Sequence, residues 1–533
     1  MNIKNKPIYL LIIVWITGSC VVVQPDNYKS SFRDINSFYK NKGNVQNEPY
    51  FKAHLKSGGL CIYTDTIWTY DDASNTISGN GKLYNAQRDL LKTGVIIMNT
   101  DTVLLFESNR KLDNTARNSR LNARTIITAI DATFGVFCIA IPKACWGSCP
   151  TFYSGEGDNV FQADAEGFSE AILPSLEYGD IDALFNFKPE SQRFSIKMKN
   201  EALETHVVRN INILAIEKDP AYKVYHGAND IFYLSDPSKT AKLESALAAE
   251  GDITETLFLS DQKERFSLSD PASLKSKEEI MLTFNKNGIS EAGLVLNFRQ
   301  TLMTTYLIYS VMGYMGNTVS DVFAEMEKNN EVLKKYNLIE DELGGIDVYL
   351  MKDREEIFCG TFLETGPIAT NQQILPLSEL PEGEEVRVKL VMNKGLWRID
   401  YAGLVPVLGT TEPVTLQADK LVYKGRTNEE YLEAINNDEK NLVSMPGDEF
   451  EFYFTLPDRD AEYDLFLYSK GYYLEWMRES WLHDKDLFRL KLLLENPDRF
   501  LRKEAKRYTK YESEMEKIFW STRIDTEKYD YYE

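Results

Sequence analysis

Apolar and polar positions alternate along much of this chain. Phe194, Ile196 and Met198 alternate with Ser195, Lys197 and Lys199, the period of a half-buried strand. Val207 to Ile216 reads as a further strand. Val386, Val388, Leu390 and Met392 share one face, with Arg387 and Lys389 between them. Phe450, Phe452, Phe454 and Leu456 alternate with Glu451, Tyr453 and Thr455, and Tyr463 to Tyr468 continues the pattern towards Gly471. Earlier, Gly59 to Tyr63, Thr66 to Tyr70, Lys82 to Tyr84 and Thr102 to Phe106 are short strands punctuated by a Ser78-Gly79-Asn80-Gly81 turn. That spacing belongs to a small antiparallel β domain.

Helical patterns are fewer. Residues 238–250 read as a helix capped by Ser238 or Thr240, with Leu243, Ala246 and Leu247 on one face and Gly251 at the C-terminal cap. Thr301 to Met315 is apolar and runs on to Val322, Phe323 and Met326. It is shorter than the ~20 residues a membrane span needs, so a buried helical layer is expected. Near the C-terminus Asn496 caps and Pro497 opens a helix that carries Phe500, Leu501, Tyr508, Met515 and Ile518. Two or three such helices are expected, then an acidic, tyrosine-rich tail. Residues 125–140 are apolar, and their period does not separate a strand pair from a buried helix.

The fold class expected is mainly β with α segments: antiparallel sandwich-like modules, a helical middle layer and C-terminal helices. The organisation expected is a signal peptide over 1–20, a tether over 21–48, a small β domain over 49–120 and a β-rich domain with a short helical insert over 121–300. A helical segment over 301–345, a sandwich-like domain over 346–475 and helices over 476–533 complete it.

The N-terminus explains residues 1–20. Lys4 and Lys6 precede an apolar run from Ile8 to Ile16, and Thr17, Gly18 and Ser19 lead into Cys20. Basic start, short apolar stretch, small residues and a terminal cysteine form a lipoprotein-type signal, which makes Cys20 the expected lipidation site. An ordinary cleaved signal is the alternative, because Thr17 stands where lipoprotein signals usually carry leucine, three before the cysteine.

Charge then limits the partners. The 81 acidic and 60 basic residues give a net charge of −21, the wrong sign for nucleic acid. An anionic lipid surface also repels such a body, so attachment falls to the N-terminal lipid anchor. The expected location is the outer membrane or cell surface, with an envelope protein or a glycan as partner.

Candidate chemistry is sparse. Cys145 and Cys149 flank Trp146-Gly147-Ser148, a spacing that favours a tight structural disulfide, with buried thiols as the alternative reading. The four histidines, His54, His206, His226 and His483, sit beside no serine or cysteine signature, and no metal or cofactor is expected. Asp164, Glu166, Glu170 and Glu177 are the densest carboxylates and are expected on a solvated, turn-rich loop. Paired acids there would serve glycosidic cleavage only if they faced each other across a cleft. Trp397 and the run Tyr472 to Met477 are aromatic groups that suit either a ligand platform or core packing.

Several segments together carry a resemblance. They are Ser78 to Tyr84, Gly147 to Tyr153 with Ala165 to Phe168, Asn200 to His206, Met445 to Glu449 and Ser469 to Met477. In these the chain resembles a family of exported lipoproteins of Bacteroidota to which no activity is assigned. The resemblance implies the lipoprotein address and supplies no catalytic residues. The function expected is a non-catalytic binding or structural module of the cell envelope. The alternative is an extracytoplasmic hydrolase acting on glycan or peptide.

Overall fold

A computed structural model describes residues 21–23, 51–108, 149–154, 163–316, 319–328, 338–475 and 484–521, apart from residues 72, 86–88, 203, 365 and 439. The described chain is mostly strand, arranged in five sheets that are antiparallel except where Lys223–Gly227 pairs in parallel with Asn371–Pro376.

The strands from Val21–Val23 to Val103–Ser108 form a six-stranded N-terminal sheet. Ser78 to Gly81 do not turn; they lie inside its strand Thr76–Tyr84. Close approach, rather than a turn, accounts for glycine at 81, because a Cβ there would stand 2.5 Å from the Ile62 carbonyl oxygen. The start of the expected tether is also strand: Val21–Val23 pairs with Ser108 to Phe106. Cys20, residues 24–50 and residues 125–140 lie outside the described residues.

Two sandwiches follow. In the first, Arg193–Lys199 and Glu449–Thr455 pair in one sheet while Glu204–Lys218 and Glu462–Glu475 pair in the other. Their apolar faces meet, Phe194, Ile196, Met198, Phe450 and Phe452 against Val207, Ile211, Ile213 and Leu467. Inserted between its halves is a second sandwich. Ala292–Gln300, Asn371–Pro376 and Trp397–Pro406 make one sheet, and Lys277–Asn285, Glu385–Asn393 and Ile346–Lys352 the other. Strands from 149–300 and from 346–475 therefore share sheets, so the expected boundaries at 300 and 346 do not separate two β modules.

The stretch expected as a helix over 238–250 contains the strand Lys242–Ala248. A bulge between Leu243 and Ser245 shifts its register, so Leu243 and Ala246, three apart, both reach the core. That spacing imitates a helical period. Gly251, with φ of +118°, lies in the next short strand rather than capping a helix.

Met303–Met315 is a helix buried on nearly every side, as a middle layer requires, and no described helix is long and apolar enough to cross a membrane. Leu487–Glu495, Pro497–Tyr508 and Glu512–Ser521 are the C-terminal helices. The Asn496 side chain caps the second by accepting from Arg499 N at 2.9 Å.

Candidate functional site

A cavity of about 990 Å³ forms a polar cleft where the two sandwiches meet. Its floor is the outer face of a first-sandwich sheet. Cross-strand register places Ser195 opposite Tyr453 and Lys420 opposite Tyr453, and Lys197 opposite both Tyr153 and Glu451. Strand alternation turns the phenylalanines of these strands into the core and leaves these residues half-exposed. Two strand spacings separate Tyr153 from Tyr453, roughly 10 Å across the sheet. The loop 184–191 forms one wall, and Gln262, Glu264, Arg299, Ile368 and Thr370 of the second sandwich form the other.

The polar groups of the cleft hold one another in place. Asp164 accepts from Ser154 N at 2.7 Å and Ser154 Oγ at 2.8 Å, and burial raises its pKa. Glu451 accepts from Ser195 Oγ at 2.9 Å. Arg299 donates to Glu264 Oε2 at 2.7 Å, and Arg398 reaches the same oxygen at 3.3 Å. Arg193 pairs with Asp419 and lies 5.4 Å from the Tyr453 ring centre, while Lys420 Nζ lies 4.5 Å from it. Tyr153 donates to Glu201 at 2.8 Å, beneath Lys199. No described histidine or cysteine lines the cleft.

Behind this wall lies a buried acidic cluster drawn from both sandwiches. Glu166 Oε2 accepts from Ile368 N at 2.7 Å, and Asp182 accepts from Glu166 N at 3.1 Å. Asp180 accepts from Phe168 N at 2.9 Å, and Glu364 from Asn371 at 2.6 Å. Burial is the first cause of altered acidity at Glu166, Asp180 and Asp182. It pushes Glu166 and Asp180 up to about 7 and Asp182 well above the usual range, with neighbouring carboxyls adding to the shift of Asp182. Asp180, at the outer edge, keeps some solvent contact. A pocket of about 40 Å³, lined in part by Glu166, Ser169, Gln300 and Tyr309, adjoins the cluster and has room for a water or two.

The sequence candidates fall as follows. The acids expected on a solvated loop are dispersed. Asp164 borders the cleft, Glu166 is fully buried, Glu170 lines the small pocket, and Glu177 is bound to Arg209 with one contact at 2.9 Å. The loop reading fails because Ala165–Glu166 joins a sheet edge under the second sandwich. Cys149 is buried, its thiol directed at Ser169 O at 3.6 Å and its pKa pushed up by burial; Cys145 lies outside the described residues. His206 is buried against Glu204 at 2.8 Å, His54 stacks on Tyr472, and burial lowers the pKa of His226. His483 lies outside the described residues. Trp397 packs in the core against Phe298, and Tyr472 and Tyr473 are buried too. Among the described residues no group of three or more His, Cys, Asp or Glu is placed to hold a metal ion.

Tyr153, Tyr453, Asp180, Asp182 and Glu364 were missed as site residues. The aromatic–polar alternation of Glu449–Thr455 was the one available signal for Tyr453. No protein-family model matches the chain, and no curated protein matches it.

Proposed function

We propose that this protein is a lipid-anchored envelope module that binds a neutral, extended polar polymer, an oligosaccharide chain, in the cleft between its sandwiches. The observation that carries the reading is the cleft floor, where Tyr153 and Tyr453 stand two strands apart among serine, carboxylate and lysine groups. Aromatic rings suit the apolar faces of sugars, and the surrounding donors and acceptors suit hydroxyls. Charge favours a neutral ligand, because an anion would meet Asp164, Glu190, Glu264 and Glu451 in the same space. The signal ending at Cys20 supports anchoring at the outer membrane or cell surface.

A non-catalytic role fits the way the acids are engaged, since Glu264 is bound by two guanidinium groups and is a poor nucleophile or base. Hydrolysis is the second reading, and the raised pKa of Asp164 at the cleft favours it, since a general acid must hold a proton.

Titration calorimetry with a panel of neutral and acidic oligosaccharides tests the proposal. Binding of a neutral chain, weakened roughly tenfold in Tyr453→Ala and in Tyr153→Ala with unchanged melting, is expected. Failure of every glycan to bind, or indifference to both changes, would overturn it. Shortened products in the cell would move the reading to hydrolysis. Anchoring is checked separately: Cys20→Ala should leave the membrane fraction or accumulate as precursor.

A further inference from the structure

The N-terminal sheet ends on the strand Leu90–Asn99, which pairs with Thr76–Tyr84 on one side and is the last strand in the sheet order. Ile96 and Met98 are buried, while Leu90, Leu91, Val95 and Ile97 are 54, 61, 57 and 67% exposed. Four large apolar side chains on one edge strand are costly to leave in water, and soluble faces usually blunt such an edge with charge or proline.

The charge here is unusual for this chain. The last two strands at this end, Thr76–Tyr84 and Leu90–Asn99, carry Lys82 and Lys92 and no carboxylate, although acids outnumber bases 81 to 60 overall. Between Asp89 and Asp101, at its two ends, this is an acid-free, apolar strip on a body of net charge −21.

The geometry points to this strand as the lipid-facing edge of the body, with Leu90, Leu91, Val95 and Ile97 entering the headgroup boundary of the membrane that holds Cys20. The inference rests on the anchoring reading above and is independent of what fills the cleft. Two relationships support lipid as the occupant. Lysines beside apolar side chains suit a phosphate-bearing surface, whereas a second copy would bring another strongly acidic body within a Debye length of the first. The other relationship is position. Val21–Val23, directly after Cys20, is the opposite edge strand of the same sheet, about 24 Å away at the usual strand spacing. An acyl anchor at one edge leaves the body free to swing; a second contact at the other edge lays the sheet along the bilayer. That fixes which way the cleft faces.

The test uses the full acylated protein, extracted from membranes and reconstituted into phosphatidylethanolamine–phosphatidylglycerol vesicles with brominated acyl chains. Ile97→Trp and, as a control, Leu408→Trp each add one tryptophan, at an exposed apolar position, to the six that remain once the signal carrying Trp15 is removed. Sedimentation with vesicles is scored first. The expected result is retention, with roughly half of the added Ile97→Trp emission quenched by the brominated chains and the Leu408→Trp emission unaffected. Retention with equal quenching of the two would overturn the lipid contact while leaving the anchor intact. So would efficient copy-to-copy cross-linking of Ile97→Cys on vesicles, which would assign the edge to a second molecule. No retention at all would overturn both anchor and contact. Val95→Asp combined with Ile97→Asp, two solvent-facing changes, provides the second variant: it should stay retained by its acyl chains and lose the quenching of an added Leu91→Trp.

Discussion

Gly366 stands so close to Glu166 that a Cβ on it would lie 2.5 Å from the carboxyl group. Its φ of +100° is also one that side chains other than glycine rarely adopt. Both facts follow from one arrangement. The loop ahead of Asn371–Pro376 presents the Ile368 and Ala369 amides to a carboxylate of the other sandwich, and glycine lets the backbone pass over it. Gly366→Ala should lower stability by about 1–3 kcal/mol. A urea titration measures this, and a double-mutant cycle with Glu166→Gln should show the two changes to be coupled, because they share one contact. Additive effects would mean that strain at φ alone is responsible.

The acidic cluster makes stability depend on pH in a stated direction. Glu166 has a folded pKa of about 7 against an ordinary value near 4.5, so the folded protein keeps this proton to higher pH than the unfolded chain. Its contribution is complete below about pH 4.5, declines as pH rises to about 7 and is constant above that, a loss of about 3 kcal/mol. Asp180 and Asp182 act in the same sense. Exposed Asp71 and Asp252, whose pKa values are lowered by local hydrogen bonds, act oppositely at lower pH and are weakened by solvent. Glu166→Gln should therefore flatten the decline between pH 4.5 and 7 in urea titrations. An unchanged slope would show that Glu166 does not hold the proton.

Strands whose partners merely require an apolar face were legible from sequence, and so was the cap at Asn496. Alternation at Phe194, Ile196 and Met198 and at Phe450, Phe452 and Phe454 is local, and it gave the strands directly. Lys242–Ala248 misled because a bulge inserts one residue, and the resulting three-residue spacing looks helical. The site was hardly legible at all. Tyr153 and Tyr453 are 300 positions apart in sequence and join only through Arg193–Lys199 between them. Glu166, Asp182 and Glu364 likewise come from separate sheets or their connections, and each alone reads as an ordinary surface acid.

Glu264 is the keystone of one cleft wall, since it accepts from both Arg299 and Arg398 and all three side chains are largely buried. Glu264→Ala would leave two guanidinium groups in a poorly solvated place, at a cost of about 3 kcal/mol. Glu264→Gln, which keeps an acceptor, should cost less. Thermal melting of both variants measures the order. In calorimetry Glu264→Ala should also weaken oligosaccharide binding more than Tyr453→Ala does, because the wall and not one contact is lost. Equal melting of the two Glu264 variants would mean that the pairs are not needed to hold the wall.

Glu504 holds the C-terminal helices to the buried helix Met303–Met315. Its Oε1 accepts from Tyr314 at 2.9 Å and from Arg489 at 2.6 Å, while Tyr306 lies 3.5 Å from Oε2 and Arg507 4.0 Å from it. The carboxylate is fully buried, so removing it takes a charged acceptor from Tyr314 and Arg489, while Tyr314 keeps its contacts with Arg489 at 3.0 Å and Arg507 at 2.8 Å and Arg489 keeps Asp486. Arg489 and Arg507 are partly exposed and recover some hydration, which places the expected loss for Glu504→Ala at about 3 kcal/mol, the low end for a broken buried pair. Because the network joins Pro497–Tyr508 and Leu487–Glu495 to the middle helix, the loss should be local first. Limited proteolysis should cut within residues 484–521 of Glu504→Ala at temperatures where the sandwiches resist, and Glu504→Gln should be cut more slowly. A single cooperative transition, with all segments becoming sensitive together, would instead show that these helices are an inseparable part of the sandwich core.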